Sequence, residues 1–416
     1  MTEHHSRSRA EHHTDGHKKH KEQHHADEYK NQRRSDIHDK HMYFQQDSYR
    51  SMSPVKHSAQ IKREGRVELT ESLQPTEQTE LREPIEPIEP IEPDTLYYAG
   101  LSLNEIQQFQ QHGNWKDQGD RLLLSVPAEF SFAMNVDFLR SSPNECLFTV
   151  CEQEIYKALA VGHSRPLLRI TQQEQGKIEV EFLGDSAPKE ELERAAVAAY
   201  VSDWFDLGID LLPFYKLASS DALLGHAVES FYGLRNMGIP DLFETLCWGI
   251  LGQQINIGYA HTLKCRLIEA FGEYVDHEGE RYWIFPTAER IAALTMSDLE
   301  LMHMTVKKCE YILDAARLVA SGELSKEKLL AAGGYKEAEK MLTRIRGIGP
   351  WTANYVLMRC LRIPTAFPID DVGLHNVIRH LTGSKAKPTR EELLKLAAGW
   401  SNWESYATFY LWRVLY

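Results

Sequence analysis

One run limits the available architectures more than anything else in the 416-residue chain: Leu342-Thr343-Arg344-Ile345-Arg346-Gly347-Ile348-Gly349-Pro350-Trp351-Thr352-Ala353. Ahead of it, YKEAEKMLTRIR has helical apolar spacing, with Met341, Leu342 and Ile345 on one side. Behind it, PWTANYVLMRCLR predicts a second helix, with Pro350 at the first-turn position where proline is favoured. The tight connection holds Gly347 and Gly349 around a single apolar residue, Ile348, which is expected to pin the two helices together. Glycine allows positive φ, and its missing side chain lets a ligand reach the main chain. N–H groups at a helix start form an anion site. For a short hairpin the natural anion is a nucleic-acid phosphate. A lone GxG would be read more simply as a helical turn with a glycine cap; the full run is far more specific.

The net charge of −13 gives no global sign of nucleic-acid binding. A hairpin that binds through backbone amides needs little basic charge, and Arg344, Arg346, Arg359 and Arg362 are expected to add some locally. No stretch of about 18 apolar residues is present, so no membrane span is expected. The start, MTEHHSRSRA, lacks the apolar core of a secretory signal. The six cysteines (146, 151, 247, 265, 309, 360) form no CxxC and no cluster. That argues against a zinc ribbon, an iron–sulfur cluster or a disulfide framework, and for a reducing cytoplasm.

Three parts are expected. Residues 1–96 hold 15 Lys+Arg and 19 Asp+Glu with almost no apolar periodicity, and ten histidines fall between His4 and His41. Such a stretch cannot bury enough apolar surface to offset its ordering entropy, so a disordered tail is expected. Its Glu-Pro-Ile repeat, Glu83 to Pro93, reads as an extended polyproline-type spacer. Residues 97–195 contain RLLLSV, CLFTVCE, IYKALAV, PLLRI and KIEVEFL, with one helical stretch, FSFAMNVDFLR. They predict a small antiparallel sheet with a helix packed on it. From about 196 to 416 the pattern is helical almost throughout, including LFETLCWGILGQQINIGYAHTLKCRLIEAFG. The fold class is therefore α+β: a small sheet domain followed by a larger all-α domain.

Beyond the second hairpin helix comes Phe367-Pro368-Ile369-Asp370-Asp371-Val372-Gly373-Leu374, where a new helix, VGLHNVIRHLTG, begins. On the simplest view, Asp370 or Asp371 caps that helix. Alternatively, one carboxylate faces the groove beside the hairpin.

Taken together, the GIG hairpin and the acidic pair about twenty residues later resemble the helix-hairpin-helix DNA glycosylase superfamily, most closely its AlkA-type 3-methyladenine branch. Ile250-Leu251-Gly252-Gln253-Gln254, Trp204-Phe205-Asp206-Leu207, Leu159-Ala160-Val161-Gly162 and Trp403-Glu404-Ser405-Tyr406-Ala407 resemble further motifs of that family, in its order. The resemblance covers about 120–416. It implies that Asp371 is the catalytic aspartate and Asp370 its capping neighbour. It also implies an aromatic base pocket formed by Trp351, Tyr355 and Trp403, with Gln253 and Gln254 where the family fills the gap left by a flipped nucleotide. Main-chain carbonyls of Thr343, Ile345 and Ile348 would hold a monovalent cation linking the hairpin to a phosphate; no cofactor is required for bond cleavage. Val372 departs from an aromatic residue of the family.

Cleaving an N-glycosidic bond develops positive charge on the sugar, which an ionised aspartate stabilises. Relatives with lyase activity carry a nucleophilic lysine where this chain has Trp351, so a monofunctional hydrolase is implied. The last 50 residues hold no cysteine, which weakens the iron–sulfur branches. The expected function is release of alkylated purines, 3-methyladenine and 7-methylguanine, from damaged double-stranded DNA, by a monomer acting on the bacterial nucleoid in the cytoplasm. Two alternatives stay open: a glycosylase for oxidised or mismatched bases, and a non-catalytic DNA-binding hairpin.

Overall fold

A computed structural model describes residues 96–415 apart from Pro143 and Gln175. The expectations for the histidine-rich stretch and the Glu-Pro-Ile repeat lie outside the described residues. Helices of nine residues or more are labelled α1 to α10; shorter ones connect them.

Helix α1 (Leu103–His112) opens the described part, with Ser102 and Glu105 closing a reciprocal capping box. Six antiparallel strands follow: β1 (Trp115–Asp117), β2 (Arg121–Ser125), β3 (Thr149–Cys151), β4 (Glu154–Ala158), β5 (Leu167–Thr171) and β6 (Lys177–Phe182). They pair in the order β1-β2-β6-β5-β4-β3. Alternation fixes the inward face: Leu122 and Leu124 on β2, and Ile178, Val180 and Phe182 on β6, are buried. The predicted helix is present as α2 (Phe132–Arg140), which buries Phe132, Val136 and Leu139. α3 (Glu191–Trp204) then buries Ala195, Ala196, Ala198 and Ala199, small residues that allow close packing.

The helical part holds α4 (Leu242–Leu251), α5 (Ile257–Phe271), α6 (Val306–Ala320), α7 (Tyr335–Thr343), α8 (Pro350–Arg359), α9 (Val372–Thr382) and α10 (Glu404–Leu415). Two features depart from the sequence reading. The helical pattern across 242–271 is broken at Gly252–Asn256, where Gln254 takes φ +58° and the Asn256 side chain caps α5. A β-hairpin, β7 (Glu273–His277) with β8 (Glu280–Ile284), interrupts the helices. Its two turn residues, Glu278 and Gly279, both have positive φ, as a tight hairpin turn requires.

One contiguous apolar core runs from sheet side chains such as Ile155 and Val180 to helical ones such as Leu246, Leu357 and Phe409. Ile348 is 4% exposed and belongs to it. Burying that side chain contributes about 2 kcal/mol and anchors the bend between α7 and α8. Among the described residues no helix is long and apolar enough to cross a membrane.

Candidate active site

The bend between α7 and α8 is held from three sides. The Ile348 N–H donates to Ile345 O at 3.0 Å. Gln253 Nε2 donates to Gly347 O at 2.8 Å, tying the Gly252–Asn256 loop to the hairpin. Lys308 of α6, buried, donates from Nζ to Leu251 O at 2.5 Å and so caps the C-terminal end of α4 just before that loop. Gln254, at the turn of the loop, is exposed.

The two glycines do different jobs. Gly347 has φ +88°, and a Cβ there would lie 2.3 Å from the ring of Tyr311. It is needed for backbone geometry and for packing. Gly349 has an ordinary φ of −87° and open space where a Cβ would stand, so it is the glycine whose bare face is open to a ligand. Thr343, Ile345 and Ile348, whose carbonyls are the expected cation ligands, lie on or beside this bend. Ile345 O accepts the Ile348 N–H and keeps a second lone pair.

Basic charge at the hairpin is smaller than the sequence suggests. Arg344 and Arg346 are exposed, with Arg346 paired to Glu310. Arg359 and Arg362 are turned inward. Arg359 donates to Met237 O at 2.7 Å and to the Tyr355 hydroxyl at 3.2 Å, and Arg362 binds Asp203. The expectation that these two add charge for a phosphate is corrected: their guanidinium groups are consumed by internal acceptors.

Asp371 is 8% exposed and caps α9: its Oδ1 accepts the Leu374 N–H at 2.6 Å. Two indoles converge on the same carboxylate. Trp351 Nε1 donates to Oδ2 at 2.8 Å, and Trp412 Nε1 donates to Oδ1 at 2.8 Å. All three partners are donors, so the surroundings are built for a carboxylate that accepts hydrogen bonds. Each oxygen has two acceptor sites; Oδ1 uses both and Oδ2 uses one, which leaves one direction on Oδ2 for an incoming group. Gly373 leaves room for the Trp412–Oδ1 contact, since a Cβ there would stand 2.9 Å from Oδ1 and 3.4 Å from the Trp412 indole nitrogen. Asp370 is not the cap, a correction to the sequence reading. It is exposed and pairs with Arg390 at 3.0 Å, because Asp371 already sits at the residue preceding the first helical turn.

Trp351 and Tyr355 stack with ring centroids 5.4 Å apart, as their i, i+4 spacing on α8 allows. The contacts continue in a closed circuit. Tyr355 meets Arg359; Arg359 lies over Phe138 and Phe409; Phe409 meets Trp412; and Trp412 returns to Asp371. Phe138 comes from α2, so the circuit is completed by the sheet-bearing half of the chain.

Trp403 is not brought into this circuit. Its ring neighbours are Phe214 and Tyr406. It stands at the start of α10, nine residues and therefore about 13 Å of helix from Trp412. Trp412, Phe138 and Gly373 are the residues that sequence reasoning missed. Val372 is exposed beside Asp371.

Residues 247–402 match the family model of the HhH-GPD superfamily base excision DNA repair proteins. Residues 99–246 match that of the 8-oxoguanine DNA glycosylase N-terminal domain. The chain is 51% identical over 302 residues to a DNA-3-methyladenine glycosylase of Bacillus subtilis (strain 168), covering 73% of this chain and 99% of that one. It is 31% identical over 189 residues to DNA-3-methyladenine glycosylase 2 of Escherichia coli (strain K12), covering 45% of this chain and 63% of that one. Among solved structures, the 3-methyladenine DNA glycosylase from Archaeoglobus fulgidus shares the fold with a TM-score of 0.60 and 23% identity, over 70% of this chain and 96% of that one.

Proposed function

The chain belongs to the HhH-GPD superfamily of base excision DNA repair proteins, and from that premise we propose that it hydrolyses the N-glycosidic bond of alkylated purines in double-stranded DNA, with Asp371 as the catalytic carboxylate. The observation that carries this reading is the convergence of Trp351 Nε1, Trp412 Nε1 and Leu374 N–H on Asp371, beside the glycine hairpin.

The hairpin amides around Gly349 take a backbone phosphate. The carbonyls of Thr343, Ile345 and Ile348 would hold a monovalent cation that adds positive charge next to that phosphate. The damaged nucleotide leaves the stack and Gln254, exposed on a loop fixed by Gln253 and Lys308, fills the gap. The extruded base rests on the rings of Trp351, Tyr355 and Trp412. Alkylation at a purine ring nitrogen gives the base a positive charge, which makes it a better leaving group and attracts it to electron-rich rings by about 0.5–2 kcal/mol per contact. As the bond lengthens, positive charge builds on the sugar and the open acceptor direction of Asp371 Oδ2 stabilises it. Water then completes the hydrolysis. Trp351 cannot form a Schiff base, so strand cleavage is not part of the reaction. The enzyme acts as a monomer on DNA in the cytoplasm.

A second reading, release of oxidised bases, draws on the match of residues 99–246 to an 8-oxoguanine glycosylase domain. The two are separated by base release from methylated and from 8-oxoguanine duplexes, with borohydride present. Free 3-methyladenine and 7-methylguanine with no trapped adduct support the proposal. A preference for 8-oxoguanine, or a covalent protein–DNA adduct, overturns it.

A further inference from the structure

Two of the six cysteines meet across the sequence. Cys146 precedes β3 and Cys265 lies in the second half of α5, and both thiols are free and half-buried. Cys265 Sγ is 3.4 Å from the Asn144 carbonyl, so it faces the segment that carries Cys146. The residues just before them are locked together as well. Lys264 Nζ binds Glu145 Oε1 and Oε2 at 3.2 and 3.1 Å, and Glu244 Oε1 at 3.0 Å. The buried ion pair Glu145–Lys264 therefore sets the register that brings Cys146 against Cys265. Cys247, Cys309 and Cys360 are buried, and Cys151 is exposed at the end of β3.

We propose that Cys146 and Cys265 are a redox-active dithiol, which a hydroperoxide converts to a disulfide joining the segment ahead of β3 to α5. The roles of the two sulfurs differ. The neighbouring Cys146 thiol holds Cys265 below its ordinary value, whereas Cys265 and burial push Cys146 up. Cys265, whose sulfur faces the segment carrying Cys146, is the attacking thiolate. Its sulfur attacks the peroxide: an S–O bond forms, the O–O bond breaks, and the displaced oxygen leaves as water with hydrogen peroxide or as an alcohol with an alkyl hydroperoxide. The sulfur of Cys146 then attacks the sulfenic acid; the S–S bond forms, the S–O bond breaks, and water departs with the Cys146 proton. Two thiols are oxidised by two electrons, and one hydroperoxide is reduced by the same two. The cross-link needs no catalytic group and leaves Asp371 and the hairpin untouched.

The test treats the reduced full-length chain with hydrogen peroxide, blocks remaining thiols with iodoacetamide and maps the peptides by mass. Expected are a linked Cys146–Cys265 peptide pair, loss of two titratable thiols, and a melting temperature that rises on oxidation and returns with dithiothreitol. In Cys146→Ser the reaction should stop at a sulfenic acid on Cys265, trapped by dimedone. Recovery of both cysteines as iodoacetamide adducts overturns the proposal. So does wild-type Cys265 ending as sulfinic acid while Cys146 stays a free thiol.

Discussion

The indole N–H of Trp412 reaches back to Asp371 Oδ1 at 2.8 Å, joining α10 to the first turn of α9 at the carboxylate. Trp412→Phe keeps an aromatic face and removes that donor. A hydrogen bond to a charged group contributes about 1.5–3 kcal/mol, so single-turnover base release should fall about 10- to 100-fold while duplex affinity changes little. Trp403→Phe, in the Phe214–Tyr406 cluster, should leave release within about two-fold. The opposite pattern would return the pocket to Trp403.

The family resemblance put Trp403 in the expected pocket and did not include Trp412. Both tryptophans fall within the last fourteen residues of the chain, and the rotation of α10 about its own axis is set by tertiary packing such as that of its Phe409 on Phe138. Spacing along the chain carries no such information. The hairpin was legible because Gly347, Ile348 and Gly349 act locally, and so was the acidic pair, whose place at a helix start is a local matter too. Which acid caps α9 was not, since either carboxylate satisfies the same pattern. The inward turn of Arg359 and Arg362 depends on the distant acceptors Met237 O and Asp203. The β7–β8 hairpin has a local signal in the sequence: Glu278-Gly279 between Tyr274-Val275 and Tyr282-Trp283.

The two hairpin glycines should separate folding from binding. Gly347→Ala must take a positive φ and push on Tyr311, costing about 1–2 kcal/mol of stability along with DNA affinity. Gly349→Ala meets nothing and should melt like the wild type, yet bind a duplex more weakly because the methyl stands where the phosphate approaches. Melting curves and filter-binding titrations check both; unchanged affinity in Gly349→Ala would mean that this face does not contact DNA.

Asp370→Asn should change stability by no more than about 0.5 kcal/mol, as expected for an exposed pair with Arg390. Denaturant titration measures this, and a loss of 1 kcal/mol or more would restore Asp370 to the cap.

Asp241 gives the fold a pH signature. It is buried at the start of α4, and burial pushes its pKa up to about 6 despite bonds from Glu244 N–H and the Tyr97 hydroxyl. In the unfolded chain it titrates near about 4. Between those values the native state holds the extra proton, so its contribution to stability is complete below about 4 and is lost as pH rises through about 6. From pH 5 to pH 8 the wild type should lose about 1 kcal/mol more than Asp241→Asn. An equal loss of unfolding free energy in the wild type and Asp241→Asn between the two pH values, by denaturant titration, would refute this.

The most direct test of the account is single-turnover release of 7-methylguanine from a methylated duplex by the wild type and Asp371→Asn, with duplex affinity measured alongside. Asparagine keeps the size and removes the charge that the sugar requires. Release should fall about 10²- to 10³-fold, the usual loss for one pre-organised stabiliser, at nearly unchanged affinity. Release within a few-fold of the wild type by a folded, DNA-binding Asp371→Asn would contradict the assignment of Asp371 as the catalytic carboxylate.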